Sequence, residues 1–310
     1  MKVWHCDASR PVPGVVPGSI ECPAPGPGQL LIQVAAVGVT PTELLWYPTT
    51  HTQTGEPRLN AVPGHEFSGR VAAAGTGVEA LVGREVFGMN DWFDNGATAE
   101  FCVTVATSVA PKPARLTHAD AASVPIGALT AWQGVYEKSR LQPGERILIH
   151  GGAGAVGVFA IQLARRSGAE VIVTASERHA EVLRELGASD VIDYRTERFE
   201  DRVPEVDVVF DTVGGSILAR SWGVLKPGGR LVTIAAPSES VADERARQAF
   251  FIVEPRGQQL DEIGSLLQSG ELRPLVDAIV PFGQTDQAYA RQYSPRRGYG
   301  KAVIEVSPSI

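Results

Sequence analysis

Cysteine is scarce in this chain: among 310 residues only Cys6, Cys22 and Cys102 occur, far apart and without CxxC spacing. Such usage argues against both a disulfide framework and a zinc knuckle. No apolar run approaches the roughly 20 residues of a membrane span, and the opening MKVWHCDASR lacks the apolar stretch of a signal peptide. A soluble, cytoplasmic protein is therefore expected. Positive charge is also short, with 28 Lys and Arg against 35 Asp and Glu and a formal net charge of −7. That balance argues against a broad nucleic-acid footprint, which needs clustered Lys and Arg on one face. The one basic cluster, 291–297 with Arg296 and Arg297 adjacent, reads as a solvated turn. Internal repeats and low-complexity tracts are missing too.

What is present suffices for about two domains, since 44% of the residues are hydrophobic and each half can build its own core. The chain is organised around 146–168, RILIHGGAGAVGVFAIQLARRSG. Ile147, Leu148 and Ile149 form the short apolar run of a buried parallel strand, and an amphipathic helix is expected over 156–167. Between them lies the turn Gly152, Ala153, Gly154, Ala155, Val156, Gly157, in GxGxxG spacing. In such a turn one glycine permits the sharp bend, one lets backbone N–H groups approach a pyrophosphate, and one lets helix and sheet pack closely. The helix N-terminus adds about half a positive charge opposite the phosphates. Dinucleotide binding is the expectation.

Residues 1–110 are rich in Gly, Pro and short alternating runs, with strands expected at 30–37, 69–73, 84–88 and 98–105 and a surface loop over the Pro-rich 11–27. From Asp120 the texture changes. Strands expected at 146–150, 170–175, 190–192, 207–211 and 230–235 alternate with helices near 156–167, 177–186 and 215–225, which implies a parallel, doubly wound sheet. A helix over 258–269 and short strands at 277–280 and 301–306 close the chain.

The segments GQLLIQVAAVGVTPTEL, VPGHEFSGRVAAAGTGV, AASVPIGALTAW, ILIHGGAGAVGVFAIQLA, LRELGASDVIDYR, VFDTVGG, LKPGGRLVTI and GYGKAVIEV follow one another in this order. Together they resemble the medium-chain dehydrogenase/reductase superfamily, in its zinc-free quinone oxidoreductase and enoyl reductase branch. The resemblance implies an α/β protein: a GroES-like irregular β catalytic domain from 1–118 and 256–310, with a Rossmann NADPH-binding domain, 119–255, inserted. A homodimer is a further implication.

A cofactor lacking a 2′-phosphate is usually read by an Asp or Glu at the end of the second strand. Here VIVTASERH carries Thr174, Ala175 and Ser176 there, with no carboxylate before Glu177. Ser176 can donate to a phosphate and Arg178 offers a permanently charged fork, so NADPH is favoured, while Glu177 keeps a contact to a ribose open. By resemblance Tyr194 of VIDYR lies near the adenosine phosphate and Lys301 matches the closing lysine of the family. Thr130, Val213, Ala235 and Ala236 are further cofactor-side candidates, the last three at carboxyl ends of strands, where ligands of open sheets bind.

Zinc catalysis needs three protein ligands and an open position. Zinc-dependent relatives place a Cys in the first loop, a His and Glu in a GHE segment and a third ligand before the Rossmann domain. This chain keeps Gly64, His65 and Glu66, but Thr40 and Ile126 stand at the other positions and the cysteine-rich lobe is missing. No metal is expected, and His65 is cast as a hydrogen-bonded residue that can still bind substrate or shuttle a proton. Without a Lewis acid, hydride transfer suits a quinone, enone or unsaturated thioester, whose enolate is stabilised by hydrogen-bond donors. Thr40, Thr42, Tyr47 and His65 are the candidates, with Tyr47 resembling the proton-donating tyrosine of enoyl thioester reductases. Two other readings stay open at this level: a reductive cyclase or carbonyl reductase of secondary metabolism, and a cofactor-binding relative without catalysis. The polar loop 49–59 is the segment expected to set the substrate.

Overall fold

The computed structural model describes residues 1–7, 13–235 and 243–307. Ala236, expected on the cofactor side, lies outside the described residues. In chain order the strands are β1 (Lys2–Asp7), β2 (Gly14–Ser19), β3 (Gln29–Gly38), β4 (Glu66–Ala74), β5 (Glu85–Met89), β6 (Phe101–Val105), β7 (Val109–Pro111), β8 (Arg146–His150), β9 (Glu170–Ala175), β10 (Asp190–Asp193), β11 (Val206–Asp211), β12 (Leu225–Thr233), β13 (Val276–Pro281) and β14 (Lys301–Glu305). They belong to two compact units, one made of Met1–Ile126 with Glu254–Ile310 and the other of Gly127–Val253.

The second unit is the doubly wound α/β body. Its strands run parallel in the order β10-β9-β8-β11-β12, which is 3-2-1-4-5 in their own sequence and implies crossovers on both faces. Ile147, Leu148 and Ile149 of β8 are completely buried, as expected for a central strand covered on both faces. Burying each contributes about 2 kcal/mol. The helix that follows, Gly157–Arg166, buries Val158 through Ala164 and ends on Arg165 and Arg166, whose charges suit the negative end of its dipole. The boundaries around β12 differ from expectation. The helix read over 215–225 stops at Ser221, and β12 starts at Leu225 and ends at Thr233 rather than 235. The KPGG segment lies within that strand, with Gly228 at φ 79° and a register shift between Val206 and Val208 on β11, so the glycines form an irregularity in the ladder and not a turn before it.

The first unit is built on a mixed seven-stranded sheet in the order β13-β14-β3-β4-β5-β7, with β6 also pairing to β3. Its core collects Leu30, Ile32, Phe67, Val37 and Ile304. The Pro-rich start departs from the expected loop: Gly14–Ser19 is a strand, antiparallel to β1. Pro17 is tolerated because a two-stranded ribbon leaves an N–H side unpaired, and Val3, Trp4 and Val15 supply the buried faces that hold the ribbon down. Among the described residues no helix is long and apolar enough to cross a membrane.

Candidate active site

The turn after β8 is shaped by backbone constraints that only glycine meets. Gly151 sits at φ 77° and supplies the left-handed bend, one residue earlier than the GxGxxG spacing suggests. A Cβ on Gly157 would stand 2.7 Å from Cα of Gly152 and closer still to the Gly151 carbonyl oxygen, so this position holds helix and turn together. Gly152 N–H donates to the Thr174 carbonyl at 3.1 Å and Gly154 N–H to the Gly151 carbonyl at 2.9 Å. The helix Gly157–Arg166 has no side-chain cap and no acidic residue in its first turn, so its positive end is left for an anion.

Beside this turn, β9 and β10 end together. Asp193 pairs in register with Ala175, and Tyr194 N–H donates to the Ala175 carbonyl at 3.3 Å, which brings Tyr194 next to Ser176. Ser176 is buried, whereas Glu177, Arg178 and Tyr194 are exposed. The Arg195 guanidinium lies 5.8 Å from the centroid of the Tyr194 ring. The ends of β9 and β10 thus carry Ser176, Glu177 and Arg178 on one strand and Tyr194 and Arg195 on the other. Carboxyl ends of the central strands carry the rest. Asp211 accepts from Val213 N–H and Gly214 N–H at 3.0 Å and from the Thr233 hydroxyl at 2.8 Å, fixing the loop after β11. A Cβ on Gly214 would meet that of Ala235, so the Val213 and Ala235 strand ends are neighbours. Thr130 is buried in the helix Pro125–Trp132. These residues fit a dinucleotide.

His150 forms the floor of the turn. The Ser221 hydroxyl donates to the Ile217 carbonyl and so accepts from Nε2 of His150 at 2.9 Å, while Nδ1 accepts from the Thr174 hydroxyl at 3.0 Å. Both nitrogens of the neutral ring are thus satisfied, and burial, with the Arg220 charge adding to it and Asp211 opposing, holds the imidazole down at about 4. The unfolded ring binds a proton near pH 6.5, earlier than the folded one. Stability is therefore complete above pH 6.5 and falls by about 3 kcal/mol as pH drops to 4, at about 1.36 kcal/mol per unit. Denaturant titrations across that window should show this slope in the wild type and lose it in His150→Gln; an equal slope in both would refute the assignment.

In the first unit a buried polar cluster gathers residues distant in sequence. The loop after β3 and the Gly64–Glu66 entry to β4 bring the Glu43 carboxylate to His65, whose Nδ1 lies 2.8 Å from Oε2, and to Gly64 N–H at 3.1 Å. Tyr289, from the helix Thr285–Tyr289, donates its hydroxyl to Oε1 of Glu43 at 2.9 Å and lies 3.2 Å from the Thr98 hydroxyl. Burial first and the Glu43 charge second push the Tyr289 phenol well above its ordinary value, so it stays a donor. A second cluster adjoins. Lys301 pairs with Oε1 of Glu66 and reaches the Thr40 hydroxyl at 3.1 Å, while Ile126 N–H donates to Oε2 of Glu66 at 2.9 Å.

The structure thus joins Thr40 to Lys301 and ties His65 to Glu43, but leaves Thr42 and Tyr47 exposed. The Tyr47 ring stacks on His51 at 4.6 Å, and 55% of the residue is open to solvent. Sequence reasoning missed Glu43 and Tyr289. Glu43 carried a signal, as a charge within the TPTELL turn of the first loop; Tyr289 carried none.

Nor do the residues fit a catalytic zinc. Glu66 is taken by Lys301 and Ile126, Thr40 by Lys301, and Glu43 by three donors, leaving one imidazole nitrogen of His65 bare. Among the described residues no three His, Cys, Asp or Glu side chains group as a metal would need. Burial pushes the Cys6 and Cys102 thiols up to about 12, so neither is a ready thiolate ligand.

Comparison with known proteins matches residues 26–114 to the alcohol dehydrogenase GroES-like domain and residues 186–304 to the zinc-binding dehydrogenase family. A probable zinc-binding mitochondrial oxidoreductase of Arthroderma benhamiae is 30% identical over 307 residues, covering 92% of this chain and 91% of that protein. The 2-methylene-furan-3-one reductase of Solanum lycopersicum is 33% identical over 290 residues, covering 90% of this chain and 72% of the other. Among solved structures, the quinone oxidoreductase from Coxiella burnetii superposes with a TM-score of 0.86 at 29% identity, covering 99% of both chains.

Proposed function

The chain belongs to the medium-chain dehydrogenase/reductase superfamily, in its quinone oxidoreductase and enoyl reductase branch, and from that premise we propose that it is an NADPH-dependent reductase of conjugated carbonyls working without zinc. The observation that carries the cofactor choice is the end of β9, which has Ser176 next to the Tyr194 strand end, Arg178 two residues on and no carboxylate before Glu177. A ribose hydroxyl calls for an acceptor there, whereas a 2′-phosphate calls for donors and positive charge.

Bound nicotinamide supplies the hydride. This chain's own contribution begins at the 151–157 turn, where the helix end that no side chain caps holds the pyrophosphate. Ser176 and Arg178 fix the adenosine end, and the Asp211-braced loop with Ala235 lines the strand ends of the sheet. In the first unit, hydrogen-bond donors rather than a metal stabilise the enolate left when hydride enters the β-carbon of a quinone, enone or unsaturated thioester. The likeness to a reductase named for a methylene-furanone, itself a conjugated ketone, supports that acceptor class.

Arg178→Ala should weaken NADPH binding about tenfold and leave NADH binding within a factor of two, since only the phosphate uses the guanidinium. Fluorescence titration with both nucleotides reads this directly. Tighter binding of NADH than NADPH by the wild type would overturn the assignment. Turnover with a panel of enones and quinones should survive exhaustive dialysis against a chelator; its loss and recovery with zinc would overturn the metal-free reading.

A further inference from the structure

His65 is a buried titratable group with one ring nitrogen bonded and the other not. The residue is 1% exposed. Its Nδ1 faces a carboxylate oxygen of Glu43, an acceptor, so Nδ1 carries a hydrogen and donates at 2.8 Å. Nε2 has no partner and is closed from solvent. An imidazole nitrogen buried without a partner forfeits about 1–3 kcal/mol. Three donors, Gly64 N–H, His65 Nδ1–H and the Tyr289 hydroxyl, converge on Glu43 and fix its orientation. The indole of Trp92 lies against the imidazole with centroids 5.2 Å apart, and Trp46 packs edge-on to Trp92 at 5.0 Å.

We propose that Nε2 of His65 donates the proton to the reduced substrate and that Glu43 is its positioning residue, held in turn by Tyr289. This rests on the reduction of conjugated carbonyls proposed above. A flat, conjugated acceptor packs on the Trp92 indole beside the ring, and Nε2, closed in this structure, is uncovered as it enters. Once hydride has formed the new C–H bond at the β-carbon, the enolate holds the displaced electron pair. His65 gives its Nε2 proton to that enolate, the N–H bond breaking as the new bond to hydrogen forms, and the neutral ring with Nδ1–H on Glu43 remains. Water restores the proton. Besides Glu43, Asp94, with Arg58 beside it, is coupled to this ring; Tyr289 and Cys6, both held protonated, are coupled to Glu43, and the Glu66–Lys301 pair follows next along β4. Glu43 is the one in hydrogen-bond contact with the ring, at 2.8 Å.

The test uses the full chain with NADPH and a conjugated ketone that the wild type reduces. His65→Gln should lower kcat at least 100-fold with the NADPH Kd unchanged. Glu43→Gln, which keeps the shape and removes the charge, should lower kcat about tenfold and move the basic limb of the kcat/KM profile to lower pH. If Glu43→Gln does not fold, Tyr289→Phe should move the same limb by a smaller amount. In cofactor-free protein, nitrogen NMR of His65 at high pH should show hydrogen on Nδ1 and none on Nε2, with Glu43→Gln mixing the two forms. A kcat for His65→Gln within twofold of wild type, or hydrogen on Nε2 in the neutral ring, would overturn the inference while leaving the function intact. Failure of the wild type to reduce any conjugated carbonyl would overturn both.

Discussion

Lys301→Ala is expected to destabilise the protein by about 3–5 kcal/mol, because it strands the Glu66 carboxylate in a site where that residue is completely buried. In the native protein burial pushes Glu66 up from the ordinary carboxylate range, and the charge and hydrogen bond of Lys301, with Ile126 N–H, pull it back. Removing the lysine leaves desolvation opposed only by the backbone donor, so the folded carboxyl holds its proton to higher pH than the unfolded one, which titrates near 4.3. The folded state then binds more protons than the unfolded state above that pH. Stability of the variant must therefore fall as pH rises, until the folded carboxyl itself ionises. Guanidinium unfolding at pH 5 and pH 8 should show a larger loss at pH 8; an equal or reversed difference would sink the account.

The same substitution separates two roles for Lys301. Its resemblance to the family's closing lysine puts it on the cofactor side, whereas the structure engages its ammonium with Glu66 and the Thr40 hydroxyl. Replacing both partners, Glu66→Gln with Lys301→Met, removes the stranded charge and should recover most of the stability. If Lys301 is an internal tie, the double variant binds NADPH as the wild type does. A tenfold weaker Kd in a fully folded double variant would return the lysine to the cofactor.

What could be read from the sequence follows how local the determinants are. The β8 strand, the glycine turn and the helix Gly157–Arg166 are specified by neighbours within one 146–168 stretch, and the alternation of strands and helices after it carries the parallel sheet. The missed ribbon of β1 and β2 is specified by Val3, Trp4 and Val15 packing on other strands, while Pro11, Pro13 and Pro17 give a local signal for loop. The hydrogen-bonded cluster is less local still. Tyr289 meets Glu43 across 246 positions, and its surroundings in TDQAYARQY read as an exposed helix. His65 was visible through its GHE segment, but its state depends on Glu43, and a carboxylate partner in another loop leaves no periodic trace.

Gly157→Ala is expected to raise the NADPH Kd at least 100-fold, about 2.7 kcal/mol, and to destabilise the second unit by about 1–3 kcal/mol. The added Cβ would strike the Gly151 carbonyl oxygen and lie 2.7 Å from Cα of Gly152, and these are backbone atoms that no rotamer change can move. Relief requires the helix to back away from the turn, which carries its N-terminus off the pyrophosphate and turns its dipole out of line. Gly152→Ala is the contrasting case: the nearest atoms to its Cβ would be those of the Val173 side chain, at 3.0 to 3.4 Å, which must give by a few tenths of an ångström. Its Kd should rise about tenfold or less. Calorimetric titration of both variants with NADPH decides the order. Were Gly152→Ala the more damaging, the pyrophosphate would have to lie nearer Val173 than the helix N-terminus, and the assignment of the phosphate site to that helix would fail.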